Sequence, residues 1–127
     1  MSSAAVEMSA GGCACGAVRF QLTASPMFVN CCHCSWCQRE TGSAFVINAL
    51  IETDRVQVLK GQPRRFELPS ASGKGQSVLR CPDCGVALWG HYSNARDAVA
   101  FVRVGTLDEP ERCPPNAHVF TSTKLPW

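Results

Sequence analysis

Residues 17–23 carry the clearest pattern in the chain: Val18, Phe20 and Leu22 alternate with Arg19, Gln21 and Thr23. A period of two predicts a strand with one face buried and the other in water. Residues 44–51 are almost continuously apolar and rich in β-formers, which predicts a central strand. Shorter runs at 56–59, 65–68, 77–80, 86–90, 98–104 and 118–120 predict six more. Residues 28–30 lead into a cysteine cluster. Residues 35–41 are polar with one Trp and predict a single helical turn ended by Gly42. Turn chemistry at 52–54, 60–63 and 105–108 separates the runs. Residues 69–75, rich in Ser and Gly, are a candidate mobile loop. About eight short strands without a long helical segment predict an all-β fold of small packed antiparallel sheets.

Residues 1–11 are small and polar, which predicts a flexible N-terminal tail followed by one domain over residues 12–127. A formal charge of +2 is too mild to imply a nucleic-acid partner, and no basic stripe with interleaved aromatics runs along the chain. No stretch approaches the roughly 18 apolar residues of a membrane span. The first residues lack the basic and apolar regions of a secretory signal. The expected setting is therefore cytoplasmic, with no nucleic acid and no membrane as partner.

The cysteines change the picture most. There are nine, an odd number, and a reducing compartment favours ligands or nucleophiles over bridges. Cys13 and Cys15 flank one residue, and Cys81 and Cys84 flank two. Each pair is followed directly by glycine, Gly16 and Gly85. Glycine permits the turn that aims backbone amides at a metal-bound sulfur. Together the pairs predict a closed four-cysteine structural zinc site that staples the N-terminal strand to the Cys81 hairpin. Two unrelated thiol pairs in turns would be the plainer arrangement.

The run Cys31-Cys32-His33-Cys34-Ser35-Trp36-Cys37 offers a second site. Cys32, Cys34 and Cys37 can converge on one soft cation at little loop-closure cost. Three thiolates on zinc leave an open position where an incoming thiol is deprotonated and becomes a nucleophile for a small carbonyl carbon. The alternatives are a second structural site completed by Cys31, His33 or Cys113, or a redox thiol cluster without metal. Adjacent residues in an extended segment point to opposite faces, which argues against Cys31. His33 reads as a surface or supporting residue and His91 as an ordinary hydrogen-bonded histidine. His118 is a possible pocket wall, Cys113 a partly buried spare thiol, and Trp36 either a wall of the metal pocket or plain packing.

Gly12-Cys13-Ala14-Cys15-Gly16-Ala17-Val18-Arg19-Phe20, Cys32-His33-Cys34-Ser35-Trp36-Cys37, Gly42-Ser43-Ala44-Phe45 and Cys81-Pro82-Asp83-Cys84-Gly85 occur in this order. With Gly105-Thr106-Leu107-Asp108 and the closing residues 118–127, they resemble the glutathione-dependent formaldehyde-activating enzyme family, also named with centromere protein V. The resemblance implies a β-tent fold and two zinc ions per chain. It implies a structural zinc on Cys13, Cys15, Cys81 and Cys84, and a catalytic-type zinc on Cys32, Cys34 and Cys37. The implied activity is that of a carbon–sulfur lyase, S-(hydroxymethyl)glutathione synthase, which joins glutathione to formaldehyde. The turn at 41–45 would offer backbone donors to the substrate. Arg39, Arg64, Arg65, Lys74 and Arg80 are the cations available for the carboxylates of glutathione. A non-catalytic zinc module that binds a thiol or a protein partner is the alternative.

Overall fold

A computed structural model describes residues 9–70, 72–92 and 96–127. Among these residues the chain forms ten strands and one α-helix. The strands are β1 (Ala10–Gly12), β2 (Arg19–Leu22), β3 (Phe28–Cys32), β4 (Val46–Glu52), β5 (Val56–Lys60), β6 (Arg64–Leu68), β7 (Gln76–Arg80), β8 (Ala87–Tyr92), β9 (Val99–Arg103) and β10 (Ala117–Val119). The helix, α1 (Ser35–Thr41), lies between β3 and β4. A three-stranded sheet has the order β1-β2-β5, and a seven-stranded sheet the order β10-β3-β4-β9-β8-β7-β6.

The all-β expectation holds, with differences. The larger sheet is mixed, because β10 runs parallel to β3. Two strands had no clear pattern in the sequence, β1 and β3. The expected tail over residues 1–11 is too long: Ala10 and Gly11 belong to β1, which pairs with β2. Residues 1–8 of that tail lie outside the described residues, as does Ala71 of the candidate mobile loop.

The alternation at residues 17–23 has the expected outcome, since Val18, Phe20 and Leu22 are all fully buried. They pack on one face of the larger sheet, with Val29, Ala49, Ile51, Ala100, Val102 and Trp89. Phe20 meets Trp89 edge to face at 5.4 Å. Burial of this apolar surface is the main force holding the sheets together.

The pairing register fixes what the other face presents. Asn30 of β3 lies opposite Asn48 of β4, which lies opposite Arg103 of β9. Phe101 of β9 shares that face two residues away, as do Tyr92 of β8 and its partner Gln76 of β7. Cys32, two residues from Asn30, points the same way, and its neighbour Cys31 points to the opposite side. A row of polar and aromatic side chains from five adjacent strands thus surrounds the cysteine run.

Candidate metal centres

The two thiol pairs sit in two turns of the same design. Cys13 N–H donates to Val18 O at 3.2 Å, and Cys81 N–H donates to Val86 O at 3.0 Å. Each turn passes through a left-handed glycine, Gly16 at φ 80° and Gly85 at φ 81°. A side chain there would be strained, which is why each pair is followed by glycine. The turns between β1 and β2 and between β7 and β8 bring all four sulfurs within 4.8 Å of one another. Cys15 Sγ lies 3.7 Å from both Cys13 Sγ and Cys81 Sγ. Sulfurs placed tetrahedrally at about 2.3 Å from a zinc ion are about 3.8 Å apart, so the spacing fits. The Val18 amide donates to Cys13 Sγ at 3.3 Å, and the Asp83 and Cys84 amides donate to Cys81 Sγ at 3.4 and 3.5 Å.

The thiols already interact strongly. Burial opposes ionisation of Cys13, yet the Val18 amide and the Cys81, Cys15 and Cys84 thiols bring it down to about 6. The Ala17 amide favours the Cys15 thiolate, but burial and the three neighbouring thiols push it up to about 12. Four sulfurs this close cannot all be anionic without a cation among them.

Cys32, Cys34 and Cys37 also converge, with their sulfurs within 4.8 Å of one another. Cys34 caps α1: its Sγ accepts the Cys37 N–H at 3.3 Å, which fixes the two thiols one turn apart. Cys37 Sγ donates to Cys32 Sγ at 3.3 Å. That contact, aided by the Cys34 amide and thiol and the charge of Arg103, outweighs burial and brings Cys32 down to about 6. The same contact, with burial, raises Cys37. Among the described residues, no fourth His, Cys, Asp or Glu joins this trio.

The trio lines a cavity of about 250 Å³, with Trp36, Tyr92, Phe101, Asn48 and Gln76 among its walls. Tyr92 Oη lies 3.8 Å from Cys37 Sγ. Burial raises the Tyr92 phenol. Behind the wall, Arg103 donates to Asn48 Oδ1 at 2.6 Å and forms an ion pair with Glu40 of α1. Gln76 Oε1 is buried without a hydrogen-bond partner among the described residues.

Cys31 faces away from the trio, as the extended backbone required. Cys113 is buried in the main core, where burial raises its thiol, and joins neither cysteine group. His91 Nδ1 donates to Val99 O at 2.9 Å, the ordinary role expected of it. Trp36 does wall the cavity.

The turn at 41–45 does not line the cavity: the Gly42 and Ser43 amides close the helix by donating to Gln38 O. The five cations do not line it either. Arg65 is held by Glu67 and Asp97, while Arg64 and Arg80 cover the Phe66 ring. Lys74 lines a separate groove, and Arg39 lines one that shares Trp36 with the cavity. The sequence reading missed Tyr92, Arg103, Glu40, Asn48 and Gln76. Asn48 was the available signal, because a polar side chain inside an apolar central strand needs buried partners.

A crystal structure of a Rhodobacter sphaeroides protein is similar in fold, with a TM-score of 0.63 at 19% identity. The match covers 87% of this chain and 99% of that one. Residues 8–123 match the family model described as glutathione-dependent formaldehyde-activating enzyme, a span that takes in both groups of cysteines. On this match, the chain belongs to the glutathione-dependent formaldehyde-activating enzyme family.

Proposed function

We propose that this chain is a zinc-dependent carbon–sulfur lyase that joins a thiol, glutathione, to a small aldehyde, formaldehyde. Family membership supports a glutathione-related, formaldehyde-activating role. The observation that carries the finer reading is the trio itself: three sulfurs converge at the wall of a cavity, with no fourth side-chain ligand among the described residues.

Two zinc ions per chain suit the donor sets, one on Cys13, Cys15, Cys81 and Cys84, and one on Cys32, Cys34 and Cys37, where Cys32 and Cys37 must open from 3.3 Å to about 3.8 Å. A zinc ion on the trio would supply positive charge that favours the thiolate of an incoming thiol. The remaining work falls to the cavity. Its apolar walls, Phe101 and Trp36, exclude water from a small carbonyl. The thiolate sulfur forms a bond to the carbonyl carbon, the π pair moves to oxygen, and that oxygen takes a proton. The Tyr92 hydroxyl, facing the trio, is the donor placed to supply it. The unpartnered Gln76 Oε1 can accept from the hydroxyl so formed.

A cavity of about 250 Å³ suits an aldehyde and the CH2–SH end of a thiol. The peptide of glutathione would then lie beyond Trp36, in the groove that Arg39 lines. A cytosolic setting, where thiols stay reduced, suits nine cysteines without a disulfide. No described helix is long and apolar enough to cross a membrane.

The test is adduct formation by the zinc-loaded protein with glutathione and formaldehyde. Acceleration above the uncatalysed rate, lost in a folded Cys34→Ala variant, is the expected result. Saturable glutathione binding without acceleration would leave the non-catalytic zinc module instead.

A further inference from the structure

On the side of β3 away from the trio, three more donors meet. Cys31 and His33 are two residues apart, and the His33 amide continues the strand pairing by donating to Val119 O at 3.0 Å. The two side chains therefore share a face. His118 of β10 lies opposite Cys31 in the parallel register. Cys31 Sγ is 3.6 Å from His33 Nε2, and His33 Nε2 is 2.9 Å from His118 Nδ1. The three ligand atoms all lie within 4.8 Å of one another.

We propose that Cys31, His33 and His118 form a third metal site, which takes a borderline divalent transition-metal ion such as Zn²⁺. Hydrogen bonding alone does not account for the arrangement. His33 Nε2 faces both partners, yet a neutral imidazole nitrogen has either one proton or one lone pair. One of its two contacts is left without a directed hydrogen bond, whichever tautomer is present. A cation among the three uses the sulfur and both nitrogens at once. One thiolate with two imidazoles is a donor set zinc accepts. With sulfur at about 2.3 Å and nitrogen at about 2.0–2.1 Å from a tetrahedral ion, the sulfur–nitrogen separation is about 3.6 Å. The Cys31–His33 distance already has this value. The histidine pair must open by a few tenths of an ångström, to about 3.3 Å. His118 can give this, being exposed on an edge strand.

The fourth position has room. His33 and His118 line a cavity of about 430 Å³ together with Phe45, Thr121, Lys124 and Trp127. The site shares no ligand with the quartet or the trio. Having one sulfur and one exposed ligand, it binds more weakly than either and exchanges its ion more readily.

Zinc content measured against buffered free Zn²⁺ tests this. The wild-type protein should take up one weak, saturable equivalent after its tight sites fill. His118→Ala, an exposed change, should lower the affinity of that equivalent by about 10–100-fold or more while leaving the tight zinc in place. His118→Cys, which restores a ligand, should recover it. With Co²⁺ as probe, the near-isosteric Cys31→Ser should remove a sulfur-to-metal charge-transfer band from the weak equivalent alone. A wild-type titration without an equivalent that His118→Ala lacks, or a Co²⁺ band unchanged by Cys31→Ser, overturns the proposal. Because the readout is a difference in the weak equivalent, it does not depend on whether the trio catalyses anything.

Discussion

Arg103 of β9 and Glu40 of α1 form an ion pair in which the side chains are 7% and 5% exposed. The pair ties the helix that carries Cys37 to the sheet behind it. Each charge has the other and Arg103 also has Asn48, while Glu40 Oε2 and Arg103 Nε are buried without a hydrogen-bond partner among the described residues.

Glu40→Ala should therefore lower the unfolding free energy by about 3–5 kcal/mol, because a buried guanidinium loses its counter-charge. Replacing both partners by apolar residues, Glu40→Leu with Arg103→Met, should restore most of the loss. Denaturant unfolding of the three variants checks both. A single-variant loss below about 1 kcal/mol, the range of an exposed pair, would mean that water reaches this pair in solution.

Removing the quartet's metal should unfold the protein. Structural zinc contributes roughly 10–16 kcal/mol in small zinc domains, against a net domain stability of about 5–15 kcal/mol. Cys84→Ser isolates this effect, since Cys84 is exposed and little packing is lost. The expected result is one zinc equivalent fewer and loss of the cooperative unfolding transition. A folded, zinc-depleted Cys84→Ser protein would show that the core alone suffices.

Gly11→Ala should destabilise the fold by roughly 1–3 kcal/mol through crowding. A Cβ on Gly11 would lie 2.5 Å from Thr106 O and 2.9 Å from Phe20 Cζ. The backbone oxygen cannot swing aside. Gly105→Ala, where a Cβ would meet nothing within 4 Å, is the control in the same thermal melt.

The same glycine shows why part of the fold was hidden in the sequence. Strands such as β2 and β4 announce themselves because their own side chains are buried in a regular pattern. Strand β1, Ala10–Gly12, has almost no side chains to show a pattern. It forms because Phe20 and Leu107 lie where a bare backbone can approach. The cysteine groups were legible because ligands are recognised by residue type and spacing. Tyr92, Arg103 and Glu40 were not, because their common location depends on sheet register and on how α1 packs. His118 joined Cys31 only through a parallel pairing across 87 residues of chain, counted from 31 to 118.

Stability should fall on the acid side, partly through Arg65. Its guanidinium holds the Asp97 and Glu67 carboxyls below their ordinary values, with Ser77 helping Glu67. Carboxyls lowered in the folded state stabilise it above their unfolded values, here 3.8 and 4.5, and that contribution disappears as pH falls through the folded values. Arg65→Met should flatten the change in melting temperature below about pH 4.5 and leave the quartet's zinc content at neutral pH unaltered. An unchanged acid limb would assign the loss to other carboxyls, such as Asp108 beside Arg19.

Three substitutions around the trio should separate binding from chemistry. Cys34→Ala should remove one zinc equivalent and the turnover while the protein stays folded, because the quartet and the core are untouched. Tyr92→Phe removes one hydroxyl from a half-buried ring held against Phe101 at 4.6 Å, so packing survives. If that hydroxyl protonates the forming alkoxide, kcat should drop by about 10²-fold or more while KM for glutathione stays close to the wild-type value. Arg39→Ala should behave in the opposite way. An exposed charge contact of about 0.2–1 kcal/mol corresponds to a rise in KM of about 1.4- to 5-fold, with kcat unchanged. Steady-state kinetics of the three proteins decide. A Tyr92→Phe enzyme at full kcat would assign the proton to water, and an Arg39→Ala enzyme with unaltered KM would place the glutathione peptide on another rim of the cavity.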